Sequence, residues 1–342
     1  MPTELPSHSE VSQPRRSRTV GVTILLLLLL AALAALRLCV GNSQLGWPAQ
    51  ADVAQIRWLR LGAAVLVGIA LSTSGVGLQA LLRNPLAEPF ILGLSSGAAV
   101  GVMLQMTLEH KLGLPLSADA PGALIGALAS AGLVYAASRR RGMLDPLGLL
   151  LTGVVLSMVN GAIIMLLNAL SVGPAGMKEN LSRWMMGYLR EEDLTAQRIV
   201  VGAVIVLTGS GILWALGRAM DVASFGDAEA QSLGVNLKLL RRLLFVVASI
   251  LAACAVVLAG PIAFVGLICP HLARLVLGPG HRNLLIGSAL LGAALVTLAD
   301  TTSVILDMSF GVGLMPIGVF TAVIGGPVFL WMLHPQLGRG VE

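Results

Sequence analysis

The run LLFVVASILAACAVVLAGPIAFVGLICPHLARLVL, Leu243 to Leu277, decides the architecture. From Leu243 to Pro270 it holds no Asp, Glu, Lys or Arg. A bilayer core of roughly 30 Å is crossed by about 20 apolar residues in a helix, so one long tilted helix and two shorter ones both fit the length. Gly260-Pro261 stands in the middle. Proline removes a backbone donor and drives its predecessor out of the α region. The spacing therefore predicts a break there, with helices over 240–259 and 262–277.

The rest of the chain reads the same way. Leu61 to Leu82, Pro89 to Leu108 and Met308 to Leu333 are also free of charged residues. Of the 342 residues, 56% are hydrophobic and 11% charged, against about 25% charged in soluble domains; the mean hydropathy is +0.88. A membrane barrel would show short alternating strands instead. The reading is an all-α membrane protein of about ten transmembrane helices, near 20–40, 60–82, 90–108, 121–138, 147–170, 197–217, 240–259, 262–277, 283–300 and 315–333. Residues 1–19 and 336–342 are expected to be cytoplasmic tails around a permease domain over 20–335, with a cytoplasmic loop over 218–239.

Charge tests the count, because basic residues favour the cytoplasmic side. With ten helices and both termini inside, that side collects Arg15, Arg16, Arg18, Arg83, Arg139, Arg140, Arg141, Arg218, Lys238, Arg241, Arg242, Arg274, Arg282 and Arg339, fourteen of the 22 basic residues. Nine helices would move Arg274 and Arg282 outside and weaken the bias. The pI near 9.6 is thus a matter of topology, and no nucleic-acid partner is expected. Arg15, Arg16 and Arg18 ahead of Val20 to Leu36 resemble a cleavable signal, but the run is long for one, and an uncleaved first helix is the reading. Cys39, Cys254 and Cys269 show neither metal-ligand spacing nor a disulfide framework and read as small apolar packing residues.

Three polar stretches interrupt the apolar runs. Arg83-Asn84-Pro85-Leu86-Ala87-Glu88-Pro89 is a proline-stiffened turn, preceded by Gln79 one turn from a helix end. Phe225 to Val235 is amphipathic, and Gly226 and Gly234 bracket two helical turns carrying Glu229, Ala230 and Leu233. It reads either as a solvated connector or as a helix lying under the membrane to dock a soluble motor. The third, Gly260 to Arg274, contains Pro270-His271, but no second ligand lies at metal spacing. Small-xxx-small pairs, Ala64 with Gly68 and Gly122 with Gly126, indicate close helix packing.

These stretches, with Arg57-Trp58-Leu59-Arg60, Trp184-Met185-Met186-Gly187, His281-Arg282, Ala299-Asp300, Pro316 to Val319 and Gly325-Gly326-Pro327, resemble in order the iron-siderophore and vitamin B12 permease family of ABC importers, the FecCD type. The resemblance covers nearly the whole chain after the N-terminal tail. It implies a type II importer permease of ten helices per subunit in the bacterial inner membrane, moving an iron-siderophore-type chelate, or haem or cobalamin, by alternating access. It implies a second permease subunit, identical or homologous, two cytoplasmic ATPase subunits that bind ATP and Mg, and an external substrate-binding protein. This chain itself is expected to bind no cofactor or metal and to catalyse nothing. Leu59 stands where the family has proline, Leu314-Met315-Pro316 where it often has Glu-Leu-Pro, and Thr301-Thr302-Ser303 where an Arg often follows the Asp matched by Asp300.

Residue assignments follow. Arg57 and Arg60, just before the second helix on the outer side and three apart, are expected to receive the binding protein. Gly226, Glu229, Ala230, Leu233 and Gly234 are expected to couple to the ATPase. Gln79 and the helix-five face of Ser157, Asn160, Ile164 and Asn168 are expected to line the pathway, since two Asn side chains are disfavoured against lipid. No Gly-x-x-x-x-Gly-Lys-Ser/Thr loop is present, so an ATPase would be a separate chain. The rivals are an ion-coupled secondary transporter, for which Asp300 near a helix end is the sole candidate carrier, and an intramembrane enzyme, for which the five His residues lie in the tail or at helix ends.

Overall fold

The computed structural model describes residues 16–41, 46–48, 50–112, 120–140, 142–170, 182, 184–191, 194–311 and 313–337. Eleven α-helices run through them: α1 Arg16–Cys39, α2 Ala51–Leu82, α3 Leu94–Leu112, α4 Ala120–Ala137, α5 Pro146–Leu170, α6 Ala196–Ala223, α7 Asp227–Ser232, α8 Leu237–Ala259, α9 Val265–Leu277, α10 His281–Phe310 and α11 Ile317–Leu337. Seven are long and apolar enough to cross a membrane: α1, α2, α4, α5, α6, α8 and α10. With α3, α9 and α11 they give the ten expected helices, and α7 is the short helix of the amphipathic stretch. The outermost tails, 1–15 and 338–342, lie outside the described residues.

The break in the founding stretch is where proline chemistry puts it. α8 ends at Ala259, Gly260 turns the chain with φ 68°, and α9 starts at Val265 after Phe264, which holds φ 70°. Pro270 lies inside α9. It has no N–H to give the Gly266 carbonyl four residues back. The amide of Gln79 on α2 donates to that carbonyl instead, at 3.3 Å.

α2 is the spine. At 32 residues it is about 48 Å long, with α10 along one side and α8 along another. Gly68 of α2 and Gly292 of α10 meet backbone to backbone, and a Cβ on either would collide with the other's carbonyl. Arg60 and Asp300 meet eight residues further along each helix, which fixes the antiparallel register. α3 and α4 approach in the same manner through Gly97, Gly101, Gly122 and Gly126. Elements start where a side chain satisfies the orphan N–H groups of the first turn: Asp145 for Gly148, Thr195 for Arg198, and Asn236 for Leu239.

Three of the boundaries that differ from the sequence reading bear on the functional residues. α2 begins at Ala51, so Arg57 and Arg60 lie within the helix, not before it. α6 continues to Ala223, which shortens the expected 218–239 loop to 224–236 around α7. α10 runs to Phe310, closed by Gly311 at φ 61° and by the Asp307 carboxylate accepting from the Gly313 N–H. Asp300 therefore stands twenty residues into a thirty-residue helix rather than at its end.

Candidate functional site

The polar machinery gathers at the two ends of the bundle. The inner end is the one where Arg83, Arg139, Arg140, Lys238, Arg241, Arg274 and Arg282 collect, in keeping with the positive-inside bias. There α2 closes on Arg83 in the left-handed conformation, φ 48°, which costs about 1–2 kcal/mol for a residue with a Cβ. The strained turn aims its guanidinium at Asp227, the first residue of α7. Arg241 of α8 reaches the same carboxylate with one nitrogen at 2.9 and 2.8 Å from its two oxygens. Asp227 thus pins α7 to two spanning helices. Gly226 before it adopts φ 147°, and the Glu229 carboxylate folds back into the space a Cβ there would fill.

The pinning decides which face of α7 is presented. Ala230 points into the body and is fully buried, packed in the core with Leu237 and Leu240. The expectation that Ala230 meets the ATPase is corrected: a six-residue helix has one buried line, and the small residue occupies it. Phe225 and Leu233 are 78% and 69% exposed, with Glu229 and Gly234 also on the open side. The sequence reading missed Phe225; the signal was an aromatic residue directly before the glycine that opens the helix.

At the outer end, Asp300 is fully buried and bridged by two arginines. Arg37 Nε donates to Oδ2 at 2.6 Å, and Arg60 donates from Nε at 3.0 Å and lies 2.9 Å away through Nη2. Arg60 Nη1 continues to Glu191 Oε1 at 2.7 Å, and Arg37 Nη1 to the Val40 carbonyl at 3.0 Å. The arginines are 2% and 1% exposed. This corrects the pairing of Arg57 with Arg60 as a docking surface, because Arg60 has no free edge. Arg57 is half-buried and donates to the Leu38 and Gly46 carbonyls. Asp300 is likewise no free ion carrier, since both its oxygens hold guanidinium groups. No spacing rule links Arg37 to Asp300, a residue 263 positions away.

The expected pathway residues separate. Gln79 is buried and holds the Gly266 carbonyl, so it braces α9. Asn160 is 6% exposed and its amide donates to Ser96 Oγ and Ser130 Oγ at 3.1 and 3.2 Å, tying α5 to α3 and α4. Ser157 donates to its own helix at the Gly153 carbonyl. Ile164 packs against the Ala98–Val102 cluster, and Asn168 is exposed. The other face of α5 is apolar and open, through Leu151, Val155, Met158 and Met165.

The α2–α3 connection carries one further ionisable group. Glu88 accepts from the Phe264 N–H at the start of α9, and burial pushes its carboxyl up to about 7 against the pull of that hydrogen bond. Among the described residues no three His, Cys, Asp or Glu side chains gather as a metal site.

Residues 21–335 match the sequence model of the FecCD transport family. The chain is 40% identical over 306 residues to the cobalamin import system permease of Halobacterium salinarum, covering 87% of this chain and 78% of that protein. It is 37% identical over 283 residues to the hemin transport system permease of Yersinia pestis, covering 82% of each. A metal-chelate type ABC transporter solved in an inward-facing conformation superposes with a TM-score of 0.78 at 30% identity, over 92% of this chain and 99% of that one.

Proposed function

Since the chain belongs to the FecCD transport family and is a multi-pass permease subunit of an ATP-binding-cassette importer, we propose that it carries a metal chelate of the cobalamin or haem class inward, driven by an ATPase that docks on α7. The observation that carries the docking assignment is the clamp on Asp227. It fixes α7 rigidly against α2 and α8 and leaves Phe225 and Leu233 as an apolar pair facing out of the bundle. Exposed aromatic and aliphatic anchors on a rigid element are what a docking partner needs. A clamp to two spanning helices would transmit a push on α7 into both.

The cargo assignment rests on the relatives, one named for cobalamin and one for hemin. A ferric siderophore, the cargo expected from the sequence, is the alternative within this chelate group. A second permease subunit would complete the pathway, with the open apolar face of α5 as its contact. Binding-protein docking, expected at two arginines, is assigned to Arg57 alone. Arg60→Glu would face Asp300 and Glu191 inside the fold, so Arg57→Glu is the variant that reads docking, as a loss of binding-protein affinity at low salt.

The test is uptake into proteoliposomes holding the permease, its ATPase and its binding protein. ATP-dependent accumulation of cyanocobalamin or haemin is expected, and Leu233→Asp abolishes it while the permease stays folded. Uptake restricted to ferric siderophores would refute the cargo assignment. Full coupling in the Phe225→Asp, Leu233→Asp double variant would refute α7 as the docking element.

A further inference from the structure

A cavity of about 460 Å³ opens at the inner end where α2, α6, α9 and α10 converge, lined among others by Arg83, Asp221, Phe225, Arg274 and His281. Most of its charged groups already have partners. Arg83 is bound by Asp227. Asp221 accepts from the His281 main-chain N–H at 2.9 Å and lies 2.7 Å from that residue's Nδ1. Arg274, in the last turn of α9, is different. It is half-buried, and among the described residues its guanidinium has neither an ion pair nor a hydrogen bond. Five N–H donors thus border this cavity with no acceptor from the chain itself.

We propose that this cavity receives an acidic side chain of the cytoplasmic ATPase, whose carboxylate pairs with Arg274. The inference rests on the ATPase docking at α7, and it adds a second, charged contact to the apolar one. Two observations choose this occupant. The cavity is continuous with the α7 face, because Phe225 lines it and is 78% exposed. One unpartnered guanidinium in a cavity whose other ions are matched suits a single carboxylate, which it can grip through two parallel N–H···O bonds. A contact of this kind fixes orientation as well as affinity. It lies on α9, the helix that Gln79 and Glu88 brace from the α2 side, across the cavity that Phe225 also lines.

The test uses the assembled importer in nanodiscs and measures dissociation of its own ATPase. Arg274→Gln is expected to weaken the ATPase about tenfold, with Arg274→Lys intermediate because a point charge keeps attraction without the fork. The deficit shrinks as KCl rises from 0.05 to 0.5 M. Thermal stability of the permease without its ATPase stays unchanged in Arg274→Gln, since the side chain holds nothing within the chain. Arg274→Glu regains affinity with one Asp or Glu to Lys variant from a scan of the ATPase surface. Wild-type ATPase affinity in Arg274→Gln overturns the proposal, while lost affinity in Leu233→Asp then leaves the α7 reading standing. Wild-type affinity in Leu233→Asp overturns the α7 reading itself. A fall in stability of the isolated permease, or loss of a co-purifying anionic phospholipid with normal ATPase affinity, also overturns the proposal by giving Arg274 a structural or lipid-binding role.

Discussion

Two aspartates in this chain are each bridged by two arginines, and they do opposite things. Asp300 lies between Arg37 and Arg60, fully buried at the outer end. Asp227 lies between Arg83 and Arg241 at the inner end, with its side chain 42% exposed. Each aspartate holds two guanidinium groups, the outer set adds Glu191 through Arg60, and the surroundings differ. Buried charges carry a desolvation penalty that only full pairing offsets, so breaking such a cluster leaves an uncompensated ion. Exposed pairs gain little because water competes for both partners. The outer triad therefore holds α1, α2 and α10 in register. The inner one fixes the facing of a short helix against α2 and α8 while adding little to the stability of the fold.

The largest expected effect breaks the outer triad. Asp300→Asn should cost about 3–5 kcal/mol, read as a sharp fall in thermal stability of the permease in nanodiscs. If burial is the cause, Arg37→Met with Arg60→Met and Asp300→Leu should recover most of the loss, since an apolar replacement of a buried triad is often neutral. A triple variant as unstable as the single one would mean that the triad adds net stability of its own.

Next is the brace between the two ends. Gln79→Leu leaves the Gly266 carbonyl without its donor, for which Pro270 has no substitute. A loss of about 1–3 kcal/mol is expected, with hydrogen exchange rising in α9 before α10. Unchanged exchange in α9 would show that the carbonyl finds another partner.

Glu88 should make stability depend on pH. Its carboxyl is raised by burial from 4.5 to about 7, so the folded chain stays protonated where the unfolded chain has already ionised. The contribution is complete below about pH 4.5 and is lost as pH rises through about 7. The melting temperature should fall across that window in the wild type and flatten in Glu88→Gln. Equal slopes would place the titrating group elsewhere.

The smallest effect on stability belongs to the inner triad. Asp227→Asn should cost less than about 1 kcal/mol yet uncouple ATP hydrolysis from uptake, because α7 loses its clamp. High salt should weaken the inner clamp and spare the outer one, since exposed pairs are screened and buried pairs much less so. A stability loss in Asp227→Asn equal to that in Asp300→Asn would erase the distinction between the ends.

Much of the fold was legible because its signals are local. Twenty apolar residues in a row, a Gly260-Pro261 break and clustered basic residues each act through the bilayer or the next turn of helix, so ten helices and the place of α7 could be read from the chain. The amphipathic stretch 225–235 was legible as an element but not in its facing. Over six residues, the burial of Ala230 depends on where Arg83 and Arg241 hold Asp227, and those lie 144 and 14 residues away. Asn160 was legible as a polar residue averse to lipid; that its amide meets Ser96 and Ser130 was not.

By itself, then, the sequence determined the all-helical membrane class, where the chain breaks and which helix ends are basic, because hydrophobic length and backbone chemistry do not depend on what packs alongside. Only the tertiary structure decided that Arg60 turns inward to Asp300, that Gln79 completes a proline-broken helix, and that Arg274 is left with donors and no acceptor. Pairing depends on which helix faces come together. In this chain those faces are set by glycine contacts such as Gly68 on Gly292, between residues more than two hundred positions apart.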